Sequence, residues 1–397
     1  MWSGRHVVLG VSGGIACYKS CHLARRLTEA GARVDVVLTR AAGEFVRPLT
    51  FEALTGRPVL ASLWEPDRAL AHIRLATDAD LVIVAPATAQ LLARAAQGMA
   101  DDALTALLLA RTGAVLAAPA MNDAMYAHEA TARNLAVLAH RGWSFVGPEV
   151  GPLAEGPSDR PGRMSEPETI LAWAERLLGS GSRLAGRTVL VTAGPTREPI
   201  DPVRVVTNRS SGKMGYRLAE AAWARGAEVV LVSGPTSLPA PVGVRLRRVE
   251  TTRDLEAAVA DELPRADVLV MAAAPADYRP ASPSDAKRPR TDGALAIPME
   301  PTADILRATA GMRPSGSLIV GFALETGDAI QKARAKLQAK ALDLMVVNDA
   351  LEPGAGFDVD TNRVAILDRD GNARVLPLAS KREVAEAILD AVEERLG

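Results

Sequence analysis

The 397-residue chain has few cysteines, few aromatic residues and no excess of charge of either sign. Its two cysteines, Cys17 and Cys21, cannot build a disulfide framework, and no Cys/His spacing typical of a zinc site is present. The net charge of −1 removes the electrostatic argument for a nucleic-acid-binding protein. No apolar run approaches the ~20 residues that a membrane span needs, and the first residues lack a signal-peptide pattern. We therefore expect a cytoplasmic, metal-poor enzyme with no nucleic-acid or membrane partner.

Lysine is also scarce, with seven lysines against 39 arginines. Because arginine carries the ordinary surface charge of this chain, a retained lysine can mark a place that needs a compact ammonium group. Codon bias in a GC-rich gene produces the same pattern, so both explanations stay open. The seven are Lys19, Lys213, Lys287, Lys332, Lys336, Lys340 and Lys381.

Apolar runs of strand length alternate with amphipathic helical patterns along the chain. The continuous runs LVIVA (81–85) and AVLAA (114–118) are typical of strands buried on both faces of a parallel sheet. The stretch GSGSRLAG (179–186) is a linker by composition. These patterns predict two Rossmann-like three-layer α/β domains, residues 1–180 and 181–397. The second should include a β-hairpin, because RVAILDRDGNARVLPL (363–378) places a DG turn between alternating strands.

Two further segments carry local predictions. Residues 146–163 read VGPEVGPLAEGPSDRPGR, which favours a flap over regular structure because glycine and proline are so frequent. In the second half, the pattern of residues 303–310 predicts a helix.

A glycine-rich turn, Ser12-Gly13-Gly14, follows the first predicted strand and opens the first helix. Such a turn lets the backbone approach a ligand closely, and the helix N-terminal amides can bind a phosphate. Thr88 follows another predicted strand, where ligands bind in open α/β sheets. The turn is not GxGxxG, so a mononucleotide fits better than a dinucleotide. The stretch Ser211-Gly212-Lys213 is not a P-loop, because Met214 stands where that motif needs Ser or Thr.

Short motifs follow one another in a specific order through both halves. They are GVSGGIACYK (10–19), AHIRL (71–75), APATAQ (85–90), GMADD (98–102), PAMN (119–122), TAGPTREPIDPVR (192–204), TNRSSGKMG (207–215), LVSGP (231–235), ADYRP (276–280), VGFALET (320–326), KLQAK (336–340) and VVND (346–349). With them the chain resembles, over essentially its whole length, the bacterial bifunctional phosphopantothenoylcysteine decarboxylase/phosphopantothenate–cysteine ligase family of coenzyme A synthesis.

The resemblance implies a flavodoxin-like first domain that binds FMN and decarboxylates 4′-phospho-N-pantothenoylcysteine. A flavin suits this reaction because loss of CO₂ leaves electrons on Cα, and an amide offers no sink for them. Oxidation of the thiol to a thioaldehyde supplies a C=S group beside that carbon. The resulting ene-thiolate is then reduced to phosphopantetheine, with the cofactor providing the redox chemistry.

Several residues of the first half match family positions. His72 matches the catalytic histidine, although a histidine beside Ile73 and Leu75 is by itself more often packed or on the surface. Asn122 of PAMN matches the residue that holds the substrate carboxylate, and on its own it equally predicts a helix N-cap before Asp123. The preceding Met121 is a substrate-binding candidate. The candidates for FMN contacts are Ser12, Gly13, Gly14, Thr39 and Thr88.

The flap departs from the family pattern. Family members commonly carry Ala-Cys-Gly there, and the cysteine serves the final reduction; this chain has Ala154-Glu155-Gly156, and the segment before GRM is one residue longer. We hypothesise that Glu155, or Asp159, donates the proton beneath a closed lid. Two alternatives stay open: Glu155 is a solvated loop charge, or the reaction stops at the aminoenethiol.

For the second half, the resemblance implies activation of 4′-phosphopantothenate by CTP with Mg²⁺. An acyl-cytidylate and pyrophosphate form, and the amine of L-cysteine then attacks with release of CMP. Charge develops on phosphate oxygens, where ammonium groups and Mg²⁺ help. Asn208 and Lys287 are implied as catalytic, while no metal ligand is assigned. The implied substrate-binding residues are Arg204, Ala273, Asp277, Thr302, Ala303, Asp304, Ile305, Phe322, Lys336 and Lys340. On its own, the Lys336/Lys340 pair is typical of a solvated helix face.

Two other functions are alternatives. One is a flavin prenyltransferase-like flavoprotein with a nucleotide-binding regulatory domain, and the other is a non-catalytic FMN-binding partner protein. The resemblance also implies homo-oligomers, with trimeric decarboxylase units that bind FMN between subunits and dimeric ligase units.

Overall fold

The computed structural model describes residues 2–65, 68–289, 295–325, 327–349 and 359–396. These residues form two compact units, the first ending at Leu178 and the second beginning at Gly179. Each unit is built around its own largely parallel sheet with helices packed against it. The predicted α/β class with two Rossmann-like domains is therefore confirmed. Within the described ranges, no helix is long and apolar enough to cross a membrane.

The first unit contains seven strands and eight α-helices among its described residues. The strands are β1 (His6–Val11), β2 (Arg33–Leu38), β3 (Leu81–Ala87), β4 (Val115–Pro119), β5 (Trp143–Phe145), β6 (Glu149–Val150) and β7 (Pro161–Arg163). The helices are α1 (Cys17–Glu29), α2 (Pro48–Thr55), α3 (Ala71–Asp78), α4 (Ala89–Gln97), α5 (Ala103–Ala110), α6 (Asp123–Ala127), α7 (Glu129–His140) and α8 (Pro167–Leu178).

The central sheet of the first unit has the order β2-β1-β3-β4-β5, and all its strands are parallel. Side chains of β1 alternate between two apolar cores: Val7 and Leu9 belong to one, and Val8 belongs to the other. Burial on both faces explains the continuous apolar runs. The order is that of flavodoxin-like folds, whose ligands bind where β1 and β3 diverge.

The flap is a short antiparallel hairpin of β6 and β7. The backbone N–H of Met121 donates to the carbonyl of Gly162 at 3.0 Å, so the second strand of the hairpin lies beside the turn before α6. A Cβ on Gly162 would lie 2.6 Å from the Met121 carbonyl oxygen, a contact that only glycine avoids. The base of the flap is thereby fixed against this turn.

The second unit has fourteen strands and five α-helices among its described residues. The strands are β8 (Thr188–Ala193), β9 (Arg197–Pro199), β10 (Val205–Thr207), β11 (Glu228–Ser233), β12 (Arg245–Arg248), β13 (Val268–Met271), β14 (Tyr278–Pro280), β15 (Met299–Pro301), β16 (Leu318–Glu325), β17 (Leu344–Asp349), β18 (Thr361–Asn362), β19 (Ala365–Asp368), β20 (Ala373–Val375) and β21 (Ala379–Ser380). The helices are α9 (Lys213–Ala224), α10 (Thr252–Glu262), α11 (Ile305–Ala308), α12 (Ala329–Ala339) and α13 (Lys381–Glu393).

The main sheet of the second unit has the order β12-β11-β8-β13-β16-β17-β19-β20. The first six strands are parallel, while β19 and β20 form the antiparallel hairpin predicted from the DG turn. The order of strands switches sides between β8 and β13: β11 and β12 lie on one side of β8, and β13 and β16 lie on the other. This switch point is the place where Rossmann folds bind their ligands. Two small antiparallel pairs, β9–β10 and β14–β15, stand apart from this sheet.

The predicted helix at residues 303–310 is shorter than expected. Asp304 caps its N-terminus by accepting from the Arg307 N–H, so α11 begins at Ile305 and covers only four residues. A separate 3₁₀ turn, Ala310–Met312, follows it. Because this capping residue lies inside the predicted range, the helix begins later than predicted.

Candidate active sites of the two units

The Ser12 hydroxyl joins the carboxyl ends of β1 and β3, where the strand order of the first sheet switches from one side of β1 to the other. Ser12 Oγ donates to the Pro86 carbonyl at 2.7 Å, and the backbone N–H of Thr88 donates to Ser12 Oγ at 3.0 Å. Gly13 lies directly against Ala41, since a Cβ on it would be 2.4 Å from the Ala41 Cβ. The turn thus has no room for a side chain and leaves its backbone free to face a ligand.

Two cavities open at this turn. The larger has a volume of about 530 Å³ and is lined mainly by apolar groups, among them Ile15, Met121, Met125 and Leu153, together with Gly14. A cavity of this size suits a small organic ligand or cofactor.

The smaller cavity, about 300 Å³, is lined by polar groups that include Ser12, Thr39 and Arg40. Gly13 and Thr88 line both cavities, so the two adjoin. All five residues predicted for cofactor contacts line one or both of these cavities.

Asn122 lies at the N-terminus of α6, as its N-cap pattern predicted. Its Oδ1 accepts from the N–H of Ala124 at 2.8 Å and of Met125 at 3.3 Å. Its Nδ2 donates to the Glu155 carboxylate on the flap. Both Asn122 and Glu155 line the larger cavity. The structure therefore brings together the two residues that were assigned to this site from separate motifs.

A second contact holds the flap against α6. Ser158 Oγ donates to Asp123 Oδ2 at 2.5 Å. This hydrogen bond lowers the pKa of the Asp123 carboxyl, so the carboxylate that accepts it is favoured near neutral pH. The flap tip, which lies between the two hairpin strands, is therefore anchored to α6 at Ser158, after Glu155 in the chain.

Lys19 is a residue of this site that no candidate assignment included. It is buried on α1, and its Nζ donates to the Met164 carbonyl at 2.8 Å and to Glu166 Oε1 at 3.0 Å. Lys19 also lines the larger cavity. The scarcity of lysine was the signal in the sequence that pointed to it. Its ammonium group fixes the chain just after the flap.

His72 lies elsewhere on the first unit. It is on α3 and lines a separate apolar cavity of about 490 Å³ with Trp64, Ile73 and Leu109. Trp64 is 89% exposed, and Ile73 and Leu109 are exposed as well. Within one chain, the structure thus does not bring His72 to the cavity that contains Asn122.

In the second unit, loops at the carboxyl ends of β8 and β13 are joined in the same way. The Ala273 N–H donates to Thr192 Oγ1 at 3.0 Å, and the Ala274 N–H donates to the Gly194 carbonyl at 2.9 Å. Asn208 Nδ2 donates to the Ala274 carbonyl at 3.2 Å and to the Pro275 carbonyl at 2.9 Å. Two predicted site residues, Asn208 and Ala273, therefore lie where the strand order of this sheet switches sides, between β8 and β13.

Hydrogen bonds extend this loop cluster to further predicted residues. Thr302 donates its backbone N–H to the Asp277 carbonyl at 2.9 Å and its hydroxyl to the Ala276 carbonyl at 2.6 Å. The Lys340 ammonium lies 3.0 Å from Asp304 Oδ2. The cluster thus includes Ala303, which is exposed, and Ile305, whose side chain is buried in the core and offers only its backbone to a ligand.

Phe322 lies on β16, and Lys336 lies on α12 beside the carboxyl end of that strand. Phe322 is half-buried on this strand, and Lys336 pairs with Glu325 at 2.5 Å. Lys336 and Lys340 thus each contact a carboxylate outside their own helix, rather than only solvent as a simple helix face would. No group of three or more His, Cys, Asp or Glu side chains in the described ranges is placed to hold a metal ion.

Arg204 and Lys287 belong to a different part of the second unit. Arg204 Nε donates to the buried Asp201 at 2.9 Å, and its guanidinium also donates to the Arg288 carbonyl at 2.7 Å. The hydrogen bond from Arg204 holds the pKa of Asp201 far below its usual range. Lys287 is exposed beside Arg288. Arg204 directly precedes β10 and Asn208 directly follows it, so one short strand connects this group of loops to Asn208.

Comparison with known proteins gives matches along nearly the whole chain. The flavoprotein family model matches residues 1–179, and the model of the DNA/pantothenate metabolism flavoprotein C-terminal domain matches residues 184–396. The coenzyme A biosynthesis bifunctional protein CoaBC of Vibrio vulnificus strain YJ016 is 45% identical, over 100% of this chain and 99% of its own. The chain belongs to the family of coenzyme A biosynthesis bifunctional proteins.

Other members and a solved structure are similar. The CoaBC protein of Mycobacterium tuberculosis strain H37Rv is 47% identical over 98% of this chain and 96% of its own. A crystal structure of the C-terminal domain of a CoaBC protein is 42% identical, with a TM-score of 0.45, and covers 54% of this chain and 97% of that one.

For this CoaBC family member, the structure adds Arg40 to the residues around the smaller cavity. Arg40 follows β2, and the carboxyl ends of parallel strands meet at one edge of the sheet. The position after the strand was the signal that could have singled it out. Arg94 also lines this cavity and pairs with Asp102 at 2.8 Å. No local sequence pattern indicated Arg94, because Asp102 lies at the terminus of a different helix.

Proposed function

We propose that the chain makes 4′-phosphopantetheine in two steps. The second domain, predicted to comprise residues 181–397, joins L-cysteine to 4′-phosphopantothenate with CTP and Mg²⁺. The first domain, predicted to comprise residues 1–180, decarboxylates the product with FMN. The observation that carries the proposal is the cavity at the reversal of the first sheet, where the glycine turn, Asn122 and the flap meet. Full-length similarity to bifunctional relatives supports the assignment of both steps to one chain.

The residues around the two cavities fit FMN. The larger, apolar cavity suits the flavin ring system, and the smaller one offers the hydroxyls of Ser12, Thr39 and Thr88 with the Arg40 guanidinium to a phosphate. The backbone of Gly13 and Gly14 can approach the cofactor closely, because no side chain stands between. When bound, FMN supplies the two-electron oxidation and reduction that make loss of CO₂ possible.

Asn122 has the geometry of a carboxylate-binding residue. Its Oδ1 is committed to the cap of α6, so its Nδ2 is presented to the cavity as a donor. In the proposed reaction this amide orients the cysteine carboxylate, with Met121 beside it in the wall of the cavity. A carboxylate held at one fixed donor is positioned for departure as CO₂.

The apolar patch around His72 supports the proposed assembly. A patch with Trp64 almost fully exposed is typical of a surface that another protein chain covers. We propose that further copies of this chain cover it in a trimer and that His72 acts on the thiol bound at the neighbouring copy. The dimeric ligase units and the cytoplasmic location rest on the family resemblance alone.

In the second unit, the charged side chains are suited to hold a nucleoside triphosphate. Lys340 and Lys336 are ammonium groups held in place by Asp304 and Glu325, and each can neutralise charge on phosphate oxygens. Asp277, Thr302 and Ala273 line the same loop cluster and would orient CTP, with Phe322 on β16. Mg²⁺ would bind chiefly through the phosphates, as is usual for this ion.

Asn208, Arg204 and Lys287 are proposed to act on the acyl group. Asn208 is anchored by two backbone carbonyls at the reversal of the sheet, which fixes its side chain beside the loop after β13. Arg204 is held by Asp201, and Lys287 is exposed on the adjoining segment. An ammonium or guanidinium group in this position can stabilise the charge that develops when the cysteine amine displaces CMP.

The test is mass spectrometry of products after FMN-loaded protein receives CTP, Mg²⁺, 4′-phosphopantothenate and L-cysteine. We expect phosphopantetheine, and we expect pyrophosphate from CTP only when phosphopantothenate is present. His72→Asn should stop at phosphopantothenoylcysteine, whereas His140→Asn, at the exposed end of α7, should not. Lys340→Gln should slow ligation, and Lys332→Gln on the same helix should leave it unchanged.

Accumulation of phosphopantothenoylcysteine by the unchanged protein would contradict the decarboxylase half. Absence of any new product would overturn both activities.

A further inference from the structure

The amide of Asn122 can act only as a donor to the larger cavity. Its oxygen accepts from two N–H groups of α6, so turning the side chain over would break the cap of that helix. The Nδ2 group therefore has one fixed direction. A fixed N–H donor in a cavity selects an oxygen acceptor, and a carboxylate is the strongest one available among protein side chains.

The acceptor at this donor is the chain's own Glu155. Glu155 is exposed at the tip of the flap, while the flap base is held by the pairing of β6 with β7 and by the Met121–Gly162 hydrogen bond. The tip can therefore leave the Asn122 amide without disturbing the base. A carboxylate on a movable tip, bound where a substrate carboxylate is proposed to bind, is an internal competitor for that position.

We infer that Glu155 and the substrate carboxylate bind the Asn122 amide in turn. After CO₂ has left, Glu155 returns to the amide and protonates the substrate carbon from which CO₂ departed. This inference rests on the decarboxylation proposed above. It assigns Glu155 two successive tasks: it yields the amide when substrate enters, and it serves as general acid once the amide is vacated.

The proton balance of the step is simple. Loss of CO₂ leaves an ene-thiolate, in which the electron pair of the broken C–C bond forms a C=C bond between the former Cα and Cβ. The Glu155 carboxyl gives its proton to the former Cα, and the thiolate electrons form a C=S bond, so the product is a thioaldehyde. The C=S carbon must then gain a hydride to give the thiolate of phosphopantetheine, and FMN held at the Gly13 turn and the adjoining hydroxyls would supply these two electrons. Glu155 takes its proton from solvent water while the substrate carboxylate occupies the amide, and after the transfer it is again the carboxylate that the Asn122 amide holds.

Geometry explains why this acid suits this carbon. The carbon that needs the proton is the one that was bonded to the departed carboxylate. An acid that takes the carboxylate's place on Asn122 consequently lies next to that carbon, within the hydrogen-bond reach that general acid catalysis requires. The exposed position of Glu155 on the flap tip also lets water replenish its proton.

Binding measurements test the competition directly, without turnover. The probes are 4′-phosphopantothenoylserine, which keeps the carboxylate but has no thiol to oxidise, and the matching ethanolamine amide, which lacks the carboxylate. By calorimetry on FMN-loaded protein, Glu155→Ala should bind the serine analogue about fivefold more tightly, because no internal carboxylate reduces the fraction of free amide. The ethanolamine analogue should bind equally to both proteins.

Product analysis tests the proton transfer. With phosphopantothenoylcysteine as substrate, Glu155→Gln should still release CO₂ but should accumulate the aminoenethiol, which is lighter than phosphopantetheine by two hydrogens. Loss of a general acid should slow the reduction by about 10²-fold. Glu155→Asp, which restores a carboxyl group, should recover part of the reduced product.

Glu149→Gln is the matched control, because Glu149 lies on the flap strand β6 but not in the cavity wall; it should change neither binding nor products. Full reduction by Glu155→Gln, or accumulation of the aminoenethiol by Asp159→Asn instead, would overturn the inference. Equal tightening of both analogues by Glu155→Ala would contradict the competition. No CO₂ release by the unchanged protein would instead refute the proposed decarboxylation.

Discussion

At the scale of single residues, one buried carboxylate organises the loop between β9 and β10. The Asp201 side chain has no exposed surface and accepts from Arg204 Nε and from the backbone N–H groups of Val203 and Arg204, each at 2.9 Å. The hydrogen bond from Arg204 leads the interactions that lower its pKa. Because the folded pKa lies below the usual value of about 3.9, this group stabilises the fold above that pH, and the contribution is lost as the pH falls toward the lowered pKa.

The change Asp201→Asn should therefore lower the melting temperature at pH 7 by a few degrees. The difference from the unchanged protein should shrink steadily below about pH 4, where the carboxylate becomes protonated in the unfolded chain. Thermal unfolding monitored by circular dichroism between pH 3 and 7 measures this. Asp285→Asn, at an exposed position, is the control and should not alter the curve. A constant difference at all pH values would show that the carboxylate charge is not the cause.

Residue-level prediction from sequence succeeded where the signal was local. The N-cap at Asn122 was confirmed because a capping side chain bonds to N–H groups two and three residues ahead. The role of Lys19 could only be suspected from lysine scarcity, since its partners Met164 and Glu166 lie about 145 residues away. The contact of Asn122 with Glu155 likewise joins two distant motifs, and its existence depends on how the flap folds back.

At the scale of elements, both units build their sites by joining two strand ends. Ser12 and Thr88 do this in the first unit, and Thr192 and Ala273 in the second. The long buried strands and the DG hairpin were predictable because periodicity and turn chemistry are local properties. The pairs β9–β10 and β14–β15 were not predicted, because their strands are only three residues long and carry no clear alternation.

The Gly13 turn gives a prediction at this scale. Gly13→Ala would place a Cβ 2.5 Å from the Ala41 carbonyl carbon and 2.8 Å from its oxygen, so backbone must move. Overpacking of this kind costs about 1–3 kcal/mol, and we expect FMN affinity to fall at least about tenfold. Quenching of FMN fluorescence on binding measures the affinity.

Gly43→Ala is the matched control, because a Cβ there meets nothing within 4 Å. FMN affinity should be unchanged in this variant. Unchanged affinity in Gly13→Ala as well would contradict the proposed role of the turn.

At the scale of the whole molecule, the first unit separates its proposed catalytic groups between two surfaces. Asn122 lines the larger cavity, while His72 lies in the apolar patch with Trp64. If both groups act on one substrate, as proposed, copies of the chain must associate through this patch. The sequence could assign His72 and Asn122 by motif, but spacing along one chain does not show that they belong to different surfaces.

Trp64→Glu tests this requirement. A charge on the patch should reduce the mass of the assembly, measured by sedimentation, and should lower decarboxylation by about 100-fold through loss of the histidine. Ligation should continue, since it belongs to the other unit. Val375→Glu, at an exposed apolar position of the second unit, is the control. Full decarboxylation by a smaller Trp64→Glu species would rule out the shared site.

The hairpin base of the flap has a consequence for how this enzyme family can change over evolutionary time. Strands β6 and β7, with the Met121–Gly162 contact, form a fixed frame, while residues 151–160 lie between the strands. A loop closed by a stable frame accepts an inserted residue at small cost in loop entropy. The extra residue and the exchange of cysteine for Glu155, both expected from the family resemblance, are confined to this interval. An acid of the kind proposed for Glu155 can thus be introduced by altering one surface loop, while the sheet, the glycine turn and the Asn122 cap stay unchanged.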